Sequence, residues 1–445
     1  MKKKLILLFL FAFLIRLIAI NQSLWLDEGI TARVISQYNL FEIVKFFSVY
    51  DFHPPLYYFL TYIFTQVFGT SESALRMPSI IFSLFSGLYI FKTGKLLKSK
   101  NIGFWSAAFF LFNPLIVYYS QEARMYMMTV FLLCAGFYYY IKVLKQKQLK
   151  DILLCNTLLF LSFLTFYGSI FFILTMYIYL LIKKKIKTLL LILPGFILSL
   201  LIIFPLLYSQ LLHSREALVI VKNWDLVLGK ATIKNLLLIP IKFSIGRISF
   251  YPKEIYYAIS ILWTLIISFF ALKGGIKSKK LIYFFITPLL IGFIFSCFTP
   301  LLLYFRFIYL ILILSLLLAI GTSKTWQRIF ILSGFCIFTF SYLLFPSFHR
   351  EDWKALAKEI PKDKRVVIIA SSSDAIRYYI PDLKVIDLIS FKSLNTKDKE
   401  LIIIPYTSEI YAIDYSFLLK EKGYMHTKTK NLRGLSYEMW NKQGF

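Results

Sequence analysis

Two adjacent acids, Asp27 and Glu28, follow the first long apolar run of this 445-residue sequence. A carboxylate can take the proton from a hydroxyl as its oxygen attacks carbon. Further along stand His53 before two prolines, Arg76, Glu122 and Arg124 within Tyr118–Tyr126, and Arg306. An arginine fork matches phosphate geometry and stays charged, so it suits a departing phosphate on which negative charge develops. Asp, Glu and His are also ligand types for a divalent metal ion. Each residue alone has a plainer reading. Asp-Glu after an apolar run is most often a solvated loop charge, and His53 before prolines fixes a turn. Glu122 and Arg124 would pair with each other or with Glu28, Arg76 would snorkel, and Arg306 would mark a boundary. Their significance depends on where the rest of the chain places them.

Hydrophobic residues make up 58% of the chain and aromatic residues 19%, with mean hydropathy +0.69. A water-soluble chain of this length would expose too much apolar surface. Apolar runs near twenty residues, separated by short lysine clusters, read instead as membrane-spanning helices. Cys134, Cys155, Cys297 and Cys336 all lie inside apolar runs without metal-ligand spacing, and read as packing residues. The net charge of +28 raises nucleic acid as a partner, but no nucleic-acid module occurs. Lysines at the ends of spans account for the charge, setting orientation and meeting anionic headgroups of membrane lipids.

The basic start Met1–Lys4 and the run Leu5–Trp25 predict an uncleaved first span with its N-terminus inside, rather than a signal peptide. Arg16 within it calls for a protein-facing environment. Spans follow at Arg76–Phe91, Ile102–Tyr119, Met125–Ile141, Ile152–Phe166, Ile170–Ile182, Leu189–Leu207, Ile255–Leu272, Leu281–Phe298, Phe307–Ile320 and Ile329–Phe345. This gives about eleven helices, with each lysine-rich turn on the cytoplasmic side. Two long outer loops result, about 27–75 and 208–253. In the first, Leu56–Phe68 is apolar but too short to span, and is expected along the interface. In the second, Leu236–Ile245 is a similar amphipathic stretch. After Pro346 the composition changes. Glu351–Glu359 reads as a helix, while Arg365–Ala370, Lys384–Leu388 and Leu401–Tyr406 read as strands. The expectation is a transmembrane domain at 1–345 and a small extracytoplasmic α/β domain at 346–445.

On this topology Asp27, Glu28, His53, Glu122, Arg124 and Arg306 share one depth, the outer face of the membrane. Acids and arginines there suit glycosyl transfer from a polyprenyl phosphate, whose tail lies in the bilayer and whose phosphate and sugar sit among the headgroups. A carboxylate would deprotonate the acceptor and the arginines would hold the lipid phosphate.

The motifs also carry a resemblance. Leu24–Glu28, Phe52–Tyr58, Ala74–Ser79 and Tyr118–Tyr126, in this order, resemble the bacterial protein-mannosyltransferase-like glycosyltransferases of family 39, with the GT-C fold, which include aminoarabinose transferases. The likeness is most specific over residues 20–130 and returns at Tyr304–Ile308 and Arg350–Trp353. The resemblance implies that Asp27 is the general base, with Glu28 beside it and Glu122 as the acid of the next outer turn. It implies that Arg124, Arg306 and Arg76 face the donor phosphate. His53, Tyr57 and Tyr126 fall at active-site positions toward acceptor or metal, His53 being the candidate metal ligand. One position departs from the family: relatives read Thr-His-Tyr where this chain has Thr165-Phe166-Tyr167, which puts metal dependence in question.

The reading is a polytopic α-helical membrane enzyme of GT-C type with a C-terminal α/β domain, located in the cytoplasmic membrane. Its expected partners are a polyprenyl-phosphate-sugar donor, a protein, lipid or glycan acceptor, and membrane lipids, with a divalent metal as optional cofactor and no nucleic acid. The alternatives are a flippase for a lipid-linked sugar and a surface-polysaccharide polymerase or ligase. A transporter would show paired halves with broken helices at the midplane, and no repeat is visible. A polymerase would gather its key residues in a late loop.

Overall fold

The computed structural model describes residues 2–361, 364–393 and 398–443. Among these, seven helices are long and apolar enough to cross a membrane: Glu72–Leu97, Tyr126–Gln146, Pro194–Ile220, Lys253–Lys277, Lys279–Ser296, Tyr304–Gly321 and Thr325–Leu344. An eighth results if Lys100–Leu111 and Pro114–Ser120, bent by 61°, form one span. The helices Lys2–Arg16, Leu149–Thr165 and Ile170–Ile182 lie where the sequence places three further spans, but they have only 15, 17 and 13 residues. The chain is therefore an α-helical polytopic membrane protein.

The bend has a local cause. Asn113-Pro114 interrupts the run, and Asn113 Oδ1 accepts from the N–H groups of Leu115 and Ile116 at 3.0 and 3.3 Å. Pro114 takes the first helical position, where its missing N–H costs nothing. The second piece stops at Ser120, and the turn Gln121–Met125 that follows is buried within the protein. Arg16 braces this break from the first helix, donating to the carbonyls of Ala12 and Leu111, both at 2.7 Å. Fully buried, it faces protein, as its place in an apolar run required.

The first long loop is folded into the helices Leu26–Gln37 and Leu56–Phe68. The latter has 13 residues, about 20 Å of helix, short of the ~30 Å hydrocarbon core. The second loop begins later than the sequence suggested. The helix Pro194–Ile220 continues well past Leu207, and its 27 residues make about 40 Å, longer than the bilayer core.

The tail has its own apolar cores, one around Trp353, Ile368 and Ile402 and another around Val367, Phe391 and Trp440, distinct from the large cluster of the helical body. Its strands are β1 (Val366–Ile368), β2 (Val385–Asp387), β3 (Glu400–Ile403), β4 (Tyr424–Leu432) and β5 (Leu435–Lys442), in sheet order β2-β1-β3-β5-β4. β1 pairs in parallel with β2 and β3, whereas β5 is antiparallel to both neighbours. The sequence showed β1 to β3 but not the closing hairpin. β4 is an edge strand, mostly exposed and rich in Lys and Thr, so it lacks apolar alternation to betray it.

Candidate active site

The two acids that open the first loop have opposite fates. Glu28 is wholly buried. Its carboxylate accepts from Arg76 Nε at 2.8 Å, from Arg76 Nη2, from the Ala123 N–H at 2.7 Å and from the Trp25 N–H at 3.3 Å. Arg76 spends its other N–H groups on the carbonyls of Ile20, Gln22 and Ser23. All five guanidinium donors are thus used. The pair ties the loop helix, the long helix Glu72–Leu97 and the buried turn into one block. This corrects two sequence expectations: Glu28 has no lone pair left for a reaction, and Arg76 has no donor left for a phosphate.

Asp27, one residue earlier, points the other way. Its side chain is 28% exposed, and among the described residues its ion-pair partner is Arg124, with Nη2 to Oδ2 at 3.7 Å. Arg124 is buried and donates from Nη1 to the Tyr58 hydroxyl at 3.1 Å. Tyr58 in turn donates to Asp51 Oδ2 at 2.9 Å, and Asp51 Oδ1 lies 3.3 Å from His53 Nδ1. Burial opposes charge on Asp51, but His53, Arg124 and the Phe52 N–H outweigh it and hold the carboxyl below its usual range. A continuous polar chain therefore links Asp27, Arg124, Tyr58, Asp51 and His53.

Glu122 lies on the far side of the turn. It is 3% exposed, and neither carboxylate oxygen has a hydrogen-bond partner among the described residues. Arg350 Nη2 approaches to 3.6 Å. Burial pushes the Glu122 carboxyl up to about 7, against the pull of Arg350 and Arg247. Arg247 lies over the Tyr118 ring at 5.0 Å, and Arg350 over the Trp25 ring at 3.6 Å. Arg247 makes no ion pair with an acid among the described residues, and its charge lies near the Glu122 carboxyl.

The remaining expected residues are less exposed to a substrate. Arg306 is half-buried, with Nη1 3.2 Å from the carbonyls of Leu228 and Pro300, where it joins two loops. Tyr126 is packed among Tyr119, Phe305 and Phe166. Tyr57 is buried, edge-on to Tyr58. Sequence reasoning missed Asp51, Tyr58, Arg247 and Arg350. Asp51 and Tyr58 flank or fall within the His53 motif, and Arg350 opens the Arg350–Trp353 motif, so signals existed. Arg247 has none beyond being basic in the second long loop.

The tail domain closes one side of this region. Arg33 of the loop helix pairs with Asp374 at 2.8 Å, and a Cβ on Gly29 would come within 2.5 Å of the Ala375 backbone. The Tyr379 hydroxyl accepts from the Leu24 N–H at 2.9 Å, and Lys354 Nζ meets Glu72 at 2.9 Å. The helix carrying Asp27 is thus clamped between the membrane body and the tail.

A metal ion was an open expectation at His53. Among the described residues no group of three or more His, Cys, Asp or Glu is arranged to hold one. Asp51 is already engaged by three donors, and Phe166, in the family's histidine position, stacks on the His53 ring at 6.3 Å and 19°. The residues present do not fit a metal centre.

Comparison with known proteins agrees with this architecture. Residues 52–208 match the family described as dolichyl-phosphate-mannose-protein mannosyltransferase. No curated protein matches the chain. Among solved structures, ArnT from Cupriavidus metallidurans bound to undecaprenyl phosphate is similar, with TM-score 0.61 and 11% identity, covering 99% of this chain and 98% of that one. The oligosaccharyltransferase of Archaeoglobus fulgidus in complex with Zn and sulfate gives TM-score 0.54 at 14% identity, covering 96% and 72%. Archaeoglobus fulgidus AglB with an inhibitory peptide and a dolichol-phosphate gives 0.54 at 13%, covering 99% and 74%. The chain is a membrane protein with the GT-C fold, and over residues 52–208 it resembles the protein-mannosyltransferase family.

Proposed function

We propose that this protein transfers a sugar from a polyprenyl-phosphate-linked donor to a hydroxyl acceptor on the extracytoplasmic face, with Asp27 as general base. The observation that carries the reading is the split between the paired acids. Glu28 is consumed by Arg76, whereas Asp27 is partly exposed and loosely held by Arg124 at 3.7 Å. Asp27 would take the acceptor proton as the acceptor oxygen bonds to the anomeric carbon. The bond from that carbon to the phosphate oxygen breaks, and its electrons pass to the departing polyprenyl phosphate. Arg247 and Arg124 are the cations best placed to meet that charge. Two neighbours support the donor class: the ArnT structure holds undecaprenyl phosphate, and AglB holds a dolichol-phosphate. The basic turns of the sequence support placing the site outside.

Deletion of the gene tests the function directly. Lipid-linked sugar is expected to accumulate while one surface glycan, glycolipid or glycoprotein loses a residue. Unchanged lipid-linked pools and unchanged envelope glycans would refute it.

A further inference from the structure

His53 is held from three sides. Asp51 Oδ1 lies 3.3 Å from its Nδ1, and the same carboxylate accepts from the Phe52 N–H at 2.8 Å and the Tyr58 hydroxyl at 2.9 Å. The Phe166 ring stacks on the imidazole. Gln210, from the span Pro194–Ile220, donates to the carbonyls of Ser48 at 2.6 Å and His53 at 3.2 Å, and is itself held by the Tyr167 hydroxyl at 2.6 Å. The segment 48–53 is therefore pinned at both ends. Nε2 of His53 has no partner among the described residues, and the side chain is 24% exposed.

Asp51 accepts from the Phe52 N–H and the Tyr58 hydroxyl, so the oxygen it turns to Nδ1 acts as an acceptor there too; Nδ1 then carries the hydrogen, and a neutral ring keeps its lone pair on Nε2. Such an imidazole serves as a metal ligand when other ligands converge on it, and here they do not. We infer that Asp51 and His53 form a metal-free dyad, in which Asp51 fixes the tautomer so that His53 Nε2 accepts a hydrogen bond from a substrate hydroxyl. Asp51 is the positioning residue, and His53 is the group that touches substrate. The hydroxyl belongs to the transferred sugar or to the acceptor. This substrate assignment rests on the glycosyl-transfer reading; the tautomer and the metal independence do not.

The test uses the full-length protein in lipid bilayers, labelled with ¹⁵N-histidine and treated with EDTA. Its four histidines are few enough for His53→Gln to identify the signal. The expected spectrum shows His53 protonated on Nδ1, unmoved by EDTA or by one equivalent of zinc, and converted to the other tautomer by Asp51→Asn. An Nε2-protonated ring, or a zinc-dependent shift with one zinc retained per chain, would overturn the dyad. Should Asp51→Asn fail to fold, the wild-type tautomer still decides. In a transfer assay, Asp51→Asn and His53→Gln are each expected to lose ~10–100-fold, as when the group orienting a histidine is removed. The double variant should lose no more than His53→Gln. A rise in KM for the donor would place the hydroxyl on the transferred sugar, and a rise for the acceptor would place it there. Additive losses, or rescue of the EDTA-treated enzyme by zinc, would contradict the proposal.

Discussion

At the scale of single residues, burial sorts groups that the sequence presents as equals. Asp27 and Glu28 are neighbours in sequence, yet a helix turns successive side chains about 100° apart, so one is partly exposed and the other lies in the core. The family resemblance favours Asp27, but the residue types alone do not rank the pair, because the partner that captures Glu28 is Arg76, far along the chain and itself a candidate for the phosphate. Removing one member of a buried ion pair leaves the other uncompensated, so Glu28→Ala is expected to cost ~3–5 kcal/mol. Thermal unfolding in detergent should register this as a large fall in midpoint; an unchanged midpoint would show that the pair is not structural. Glu122 gives a pH dependence. Its carboxyl is raised to about 7 in the folded protein, so the native state holds the proton more tightly than the unfolded chain. Stability should therefore fall as pH rises from near 4.5 through 7, by about 3 kcal/mol at most. Glu122→Gln should flatten that slope, and a slope that persists would assign it to another group.

At the scale of elements, apolar runs and lysine clusters made the helices legible, because hydropathy over twenty residues is a strong signal. Leu56–Phe68 emerged with the bounds read from sequence. The break at Asn113-Pro114 did not. A run from Ile102 to Tyr119 looks continuous by hydropathy, and only the Asn cap and the braced Leu111 carbonyl reveal the bend. The same limit applied to the helix Pro194–Ile220, whose C-terminal end is polar enough to read as loop. Contacts between elements were invisible for the same reason. Gly29 owes its place to the Ala375 backbone, which leaves no room for a Cβ. Gly29→Val is expected to push the tail off the loop helix. Limited proteolysis should then release the fragment after Phe345 from the variant faster than from the wild type; equal release would mean that the contact does not hold the tail.

At the scale of the whole molecule, the site is shared by parts that are distant in sequence. The first loop supplies Asp27, the buried turn supplies Glu122 and Arg124, the second loop supplies Arg247, and the junction to the tail supplies Arg350. The motif order pointed to the first two and the Arg350–Trp353 motif to the junction, while Arg247 acquires meaning only when the second loop folds back over Tyr118. Such an assembly requires the tail and both loops on one side of the membrane. A reporter fused after Phe345 should therefore read as extracytoplasmic, and a cytoplasmic signal would break the site apart. The central claim is that Asp27 carries the proton transfer within this assembly. It is tested most directly by assaying purified Asp27→Asn for sugar transfer from a polyprenyl-phosphate donor, alongside a check that thermal midpoint and membrane insertion match the wild type. A loss of at least ~10²-fold is expected in a protein that is otherwise intact; turnover near the wild-type rate would show that Asp27 is not the base.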